Sequence, residues 1–254
     1  MHDNEGMLPS VIPAKAGISG GKHAPSHEIP AFAGMTIWGG TKMRIWALAA
    51  LLIATPAAAQ QTSPISDDSI KSWLEKGEEV ESRTDGDLNG DGQADTVLIG
   101  RGEETRTVKA MLLTRGEFDI DLVPVGRLKL DSYPLGAAEV SIAKGVLKIT
   151  DLVGGTTAVN TVYRYRLVPG SKPRMRLIGL DATLYSRTYA HDGLEISWNL
   201  LTGDYITREM KLNKSGKGDA AYDRIIEKKS KKPSKPLYME DTPDPDDLLG
   251  WGGG

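Results

Sequence analysis

From Thr96 to Leu212, apolar and polar side chains alternate with a period of two. β-Branched and aromatic residues are enriched, and turn residues recur at short intervals. This is the pattern of a mainly β, antiparallel domain whose strands bury one face each. Leu194, Ile196, Trp198 and Leu200 alternate with Glu195, Ser197 and Asn199. After Thr202, Gly203 and Asp204, Ile206, Met210 and Leu212 are expected inward against Thr207, Glu209 and Lys211, which predicts a β-hairpin. Val140 to Ala143 and Val146 to Ile149 predict a second hairpin about Lys144 and Gly145. Tyr163, Tyr165 and Leu167 share one strand face, with Arg164 and Arg166 on the other, and Pro169 and Gly170 separate this strand from one running from Arg174 to Tyr185. About eight strands are expected, a number that needs either a second sheet or closure, so the predicted architecture is an antiparallel β-sandwich or curled meander.

Ahead of the strands, Ser66, Asp67 and Asp68 offer helix-capping groups, and Ile70, Trp73 and Leu74 share a face opposite Lys71, Glu75, Lys76 and Glu79. This spacing predicts one N-terminal helix over Asp67 to Val80. Beyond Leu212 the alternation decays. Ala220 to Lys228 suggests a short helix, Lys228 to Lys235 is basic, and Glu240 to Asp247 is acidic with Pro243 and Pro245. Opposed charge blocks with few apolar residues predict a largely disordered tail over 214–254.

Ile45 to Ile53 is an unbroken apolar run, preceded by Lys42 and Arg44 and followed by small residues that include Ala57 and Ala59. The order is that of a secretory signal peptide over 43–59, cut after Ala59, and the run is too short to anchor the chain in a bilayer. A periplasmic or secreted location is expected, with a polar linker over 60–66. Residues 1–42 carry the repeat Ile-Pro-Ala-x-Ala-Gly at 12–17 and 29–34. Residues 10–36 resemble the translated product of a repeat element dispersed between genes of some Gram-negative bacteria, which implies that translation starts at Met43. The alternative is a disordered, Gly- and Pro-rich leader.

The 254 residues contain no Cys, which excludes disulfides, thiol nucleophiles and Cys-ligated metal centres. A formal charge of -3 gives no basic surplus for nucleic acid or an anionic membrane. Residues 1–59 carry a net +1, which leaves -4 on the mature chain, and of the four His only His191 remains there. Mechanisms that need two His are therefore excluded from the mature chain.

One segment concentrates oxygen ligands: Asp85-Gly86-Asp87-Leu88-Asn89-Gly90-Asp91-Gly92-Gln93-Ala94-Asp95. Hard cations such as Ca²⁺ take six to eight oxygens at about 2.3–2.6 Å, and a chain supplies them from alternate positions only if Gly residues let it coil tightly. Without a cation, four carboxylates in so short a run repel one another. Counted as an EF-hand from Asp85, the twelfth position is Thr96, where a bidentate Glu belongs. Counted from Asp87, the D-x-N-x-D-G-x-x-D pattern ends at Asp95 and runs into the apolar Val97 to Ile99. That arrangement resembles the calcium loop of FG-GAP or VCBS-type repeats. The resemblance implies Ca²⁺ held by Asp87, Asn89, Asp91 and Asp95, with the backbone carbonyl of Gln93 and an auxiliary Asp85. A single copy is present, whereas a propeller needs several blades. The remainder is similar to small exported proteobacterial proteins that carry one such loop.

Other candidates carry less. His191 sits in a turn, Ser186 and Ser197 lack a nucleophile-elbow setting, and Gly154 to Thr157 lacks the Lys of a phosphate loop. Arg164, Arg166, Arg174, Arg176 and Arg187 suggest a basic stripe that faces either solvent or an acidic polymer or tail. The expected function is that of an exported calcium-binding β-domain with a binding or structural role in the periplasm or envelope, its partner an envelope protein or glycan. The alternative is an envelope hydrolase using Asp151 and Asp181 as acid and base.

Overall fold

The computed structural model describes residues 63–215 and 220–251, and the expected leader, signal peptide and first three linker residues lie outside them. The described residues begin with a short helix, α1 (Asp67–Lys71), followed by a four-stranded sheet of β1 (Glu79–Gly86), β2 (Asp95–Arg101), β3 (Arg106–Arg115) and β4 (Ile120–Lys129). A seven-stranded sheet follows: β5 (Glu139–Ala143), β6 (Val146–Gly154), β7 (Thr157–Val168), β8 (Arg174–Ser186), β9 (Gly193–Asn199), β10 (Asp204–Leu212) and β11 (Tyr222–Lys231). A 3₁₀ turn (Met239–Asp241) and α2 (Pro245–Leu249) close the order. Within each sheet every strand pairs antiparallel with its sequence neighbour, so both sheets are meanders. The β5–β6 hairpin turns through Lys144 (φ 52°) and Gly145 (φ 69°), the left-handed pair that matches strand twist in a two-residue loop.

The architecture is the expected sandwich. Val97, Ile99, Val108, Ala110 and Leu112 of the small sheet pack with Leu147, Ile149, Tyr163, Tyr165, Met175, Leu177 and Trp198 of the large one. The opposite face of the small sheet is covered too. Leu98, Met111, Leu113 and Leu122 meet Ile70, with Ile65, Trp73 and Leu74 packed alongside. β2 and most of β3 are therefore buried on both faces, which is why their sequences read as continuous apolar runs.

Four expectations are corrected. The helix expected to reach Val80 stops at Lys71: Ser66 does cap it, but the chain then turns, with Gly77 at φ 85°, so that Trp73 and Leu74 lie on the small sheet and β1 starts at Glu79. Eleven strands are present among the described residues where about eight were expected. The β9–β10 hairpin forms, but Tyr205 and Thr207 stand opposite the inward Trp198 and Ile196, whereas Ile206 stands opposite Ser197 on the outer face. The turn ends at Gly203, one residue earlier than expected, and a slip of one residue exchanges the two faces of a strand.

The fourth correction concerns the tail. Tyr222 to Lys231 forms a strand instead of a helix, tied to the sheet by Arg208, which bonds Glu195 and Glu227 on either side. The segment beyond it is docked: Met239 is 0% and Leu249 6% exposed, both within the main core. Tyr165 Oη and Thr242 Oγ1 hydrogen-bond at 2.9 Å, and Leu177 N donates to Leu237 O at 2.9 Å.

Candidate functional site

The acidic loop joins β1 to β2 and is held by its own side chains. Asp87 accepts bonds from Gly90 N (2.6 Å) and Gly92 N (2.9 Å), Asn89 Oδ1 from Asp91 N (2.9 Å), and Asp91 Oδ1 from Gln93 N (2.7 Å). Gly90 (φ 84°) and Gly92 (φ 80°) adopt the left-handed conformations that this coil requires. The expected ligands Asp87, Asn89 and Asp91 thus sit on one turn, with Asn89 and Asp91 exposed to solvent.

Asp95 is placed differently. It is fully buried, its Oδ2 accepts from Leu88 N (2.8 Å), and its Oδ1 accepts from Leu113 N (2.9 Å), so it pins the loop to β3. Burial pushes its carboxyl above the usual carboxylate range; the two amides oppose this rise, and the charges of Asp91 and Asp87 add to it. Burial also pushes Asp91 upward, but bonds from Asn89 and Gln93 outweigh it and hold that carboxyl below its ordinary range. Gln93 turns its side-chain oxygen to Arg115 Nε. Asp85, the expected auxiliary ligand, stands on β1 and is engaged by Arg83 Nε (3.1 Å), Thr96 Oγ1 (2.9 Å) and Ser63 N (3.2 Å). Its charge answers Arg83, so it stands outside the set formed by Asp87, Asn89 and Asp91.

The donor chemistry of Asp87, Asn89 and Asp91 fits a hard cation, since each carboxylate oxygen that accepts an amide N–H keeps a second lone pair. Among the described residues, no three acidic or His side chains form a ready metal cage. The fit therefore depends on Asn89 and main-chain oxygens beside the carboxylates of Asp87 and Asp91.

A second polar cluster links the two sheets. Arg106, with its side chain 0% exposed, donates from Nε and Nη2 to Glu81 (both 2.7 Å) and from Nη1 to Asp151 (2.8 and 3.0 Å). Glu81 also accepts from Ala138 N at 3.0 Å. Sequence reasoning missed this cluster, although a signal was present: Arg106 is in phase with the inward Val108, Ala110 and Leu112, and Asp151 with Leu147 and Ile149. Asp151 also lines a cleft of about 300 Å³ with Asp131, Tyr163, Asp244 and Asp246, one wall of which is the docked C-terminal segment.

The register separates the proposed acid and base. Asp151 stands opposite Thr161, which stands opposite Ala182, so Asp151 shares the inner face. Asp181 is one residue out of phase, on the outer face, bonded to Arg164 (2.7 Å) and Ser197 Oγ (2.7 Å). The two carboxylates cannot meet a common substrate, and the hydrolase alternative loses its pair.

His191 is in the turn before β9, with Nδ1 2.7 Å from Asp192 O and Nε2 2.8 Å from Thr157 Oγ1. Ser186 is buried and accepts from Ala190 N. Of the five Arg, four share the outer face of β7 and β8, whereas Arg187 bonds Gly155 O. No protein-family model, curated protein or solved structure matches this chain. Among the described residues, no helix is long and apolar enough to cross a membrane.

Proposed function

We propose that the chain is an exported calcium-binding β-sandwich that acts by binding, not by catalysis, in the periplasm or at the cell envelope, where an envelope protein or glycan is its partner. The observation that carries this reading is the coil from Asp87 to Gln93, in which the chain's own amides hold Asp87, Asn89 and Asp91 on one turn. Bound Ca²⁺ supplies positive charge to carboxylates that otherwise repel. Asp95 then acts as the anchor: because it accepts from Leu88 N and Leu113 N, order in the loop is passed to β2 and β3. Export is supported by the segment at 43–59.

Extracellular Ca²⁺ modules have dissociation constants of about 10⁻⁴–10⁻³ M. At about 1 mM free Ca²⁺ and a constant near 10⁻⁴ M, mass action stabilises the folded state by RT ln 11, about 1.4 kcal/mol, or about 3–6 °C in melting temperature. Calorimetry with Ca²⁺ and melting with and without a chelator test the reading. Asp91→Ala is expected to abolish the Ca²⁺ shift, with Asp192→Ala as the control that retains it. No heat of binding at millimolar Ca²⁺, or an unaltered shift in Asp91→Ala, would leave the loop as an acidic turn.

A further inference from the structure

On the outer face of the large sheet, strand alternation and register bring four cations together. β7 turns Tyr163 and Tyr165 inward and Arg164 and Arg166 outward. Lys148 on β6 stands directly opposite Arg164, and Arg166 directly opposite Arg176 on β8. Like charges placed opposite each other across strands are destabilising, and here two such pairs are adjacent. Arg164 is compensated by Asp181. The neighbouring Arg174 is compensated by Glu240, its guanidinium lying 3.9 Å over the Tyr238 ring. The side chains of Lys148, Arg166 and Arg176 have no hydrogen bond or ion pair among the described residues. Arg176 Nε is moreover buried and has no acceptor, and the backbone of Tyr238, in the C-terminal segment, bridges that of Arg176. A buried guanidinium N–H without an acceptor is costly, and an anionic oxygen reaching Arg176 would relieve that cost.

We propose that Arg166 and Arg176 form a phosphate-binding site, with Lys148 flanking it. Directly opposed residues in an antiparallel pair have Cα atoms about 4.5–5.5 Å apart, which allows two long side chains to close on one small group. Each guanidinium presents a fork that matches two phosphate oxygens, and two of them balance a phosphate dianion. A carboxylate, with one charge and two oxygens, would leave donors unused. The phosphate belongs to a soluble or polymer-borne ester and not to a bilayer: the chain carries -3 overall, and Glu240 and Asp241 border the site, so nothing draws this face to an anionic membrane. The site shares no residue with the calcium loop, which connects strands of the other sheet, so the two assignments fail independently.

The test follows the Arg Nε–Hε signals of the full chain by ¹H–¹⁵N NMR during titration with inorganic phosphate at constant ionic strength. Saturable shifts of the Arg166 and Arg176 signals at millimolar phosphate are expected. Arg166→Gln and Arg176→Gln should each weaken binding about tenfold, the scale of a lost charge-assisted bond, while Arg187→Gln leaves it unchanged. Arg166 is exposed, so Arg166→Gln carries the test even if the partly covered Arg176 proves necessary for folding. Absence of a saturable shift, binding unchanged in the double variant, or retention on phosphatidylglycerol vesicles without any response to phosphate would overturn the proposal.

Discussion

Replacing Arg106 by Met tests the link between the sheets most severely. The side chain is fully enclosed, and its partners Glu81 and Asp151 are each only 5% exposed. Met matches much of the apolar stem, so the perturbation is the loss of the cation and of four short donor contacts. Removing one member of a buried ion pair costs about 3–5 kcal/mol, because the remaining charge is left desolvated. Here one cation serves two carboxylates, which places the expected loss toward the upper figure. At about 2–4 °C per kcal/mol for a domain of this size, the melting temperature should fall by roughly 10–20 °C. Urea unfolding followed by circular dichroism gives the free energy directly.

The pH dependence has a sign that separates this cause from a packing defect. In the intact cluster, burial pushes Glu81 upward, but the bonds from Arg106 and Ala138 outweigh it and hold the carboxyl below its ordinary value. Its stabilisation is present above the unfolded pKa and is lost as pH falls through the lowered one. Burial holds Asp151 above its ordinary value despite Arg106, so its contribution is greatest in acid and is lost as pH rises through the raised value. The two trends oppose each other in the intact protein. Without Arg106, burial raises both carboxyls, so the deficit of Arg106→Met should be largest near neutral pH and shrink toward about pH 4, where carboxyls protonate. Adding Glu81→Gln and Asp151→Asn should recover part of the loss. A deficit under about 1 kcal/mol, the scale of an exposed pair, or one that does not change with pH, would refute the reasoning.

Deleting residues 236–254 removes the fully buried Met239 and the nearly buried Leu249 from the core, a loss of about 4 kcal/mol or more. Scanning calorimetry should record a large drop in melting temperature, and an unchanged midpoint would show that the segment is not part of the fold. Asp95→Asn sets an amide donor against one of two backbone N–H groups, Leu88 or Leu113, that now share a carboxylate, at a cost of about 1–3 kcal/mol. Faster hydrogen exchange at Leu113 is the expected signature, and unaltered protection there would remove Asp95 from its anchoring role.

Where strands bury one face against a large core, alternation located them, as in β5–β6, β7 and β9. β1 and β11 escaped because they lie at sheet edges and their side chains are mostly exposed or half-buried, so no apolar face marks their period. The helical spacing of Ile70, Trp73 and Leu74 was real but served a folded-back turn over the small sheet. The tail gave little warning because two residues, Met239 and Leu249, anchor a segment that is otherwise charged, and composition averages over such anchors. The acidic loop was legible because most of its contacts span few residues: Asp87 reaches Gly92, while Gln93 and Asp95 reach β3.

Sites assembled across strands depend on register, which single-strand patterns leave open. Asp151 and Asp181 each lie on a strand adjoining β7, yet the ladder puts them on opposite faces. The same ladder sets Arg166 against Arg176 and sends Arg187 elsewhere, which turns a diffuse run of basic residues into one defined pair. Arg106 follows the same rule from the inside. Its phase with Val108 and Ala110 commits it to the interior, and only the packing of one sheet on the other supplies Asp151 to receive it. A charge in phase with a core face therefore implies a partner on the facing sheet, since a lone buried guanidinium would be too costly to retain. In this chain that inference leads from Arg106 to Asp151, and it removes Asp151 from any catalytic pair with Asp181.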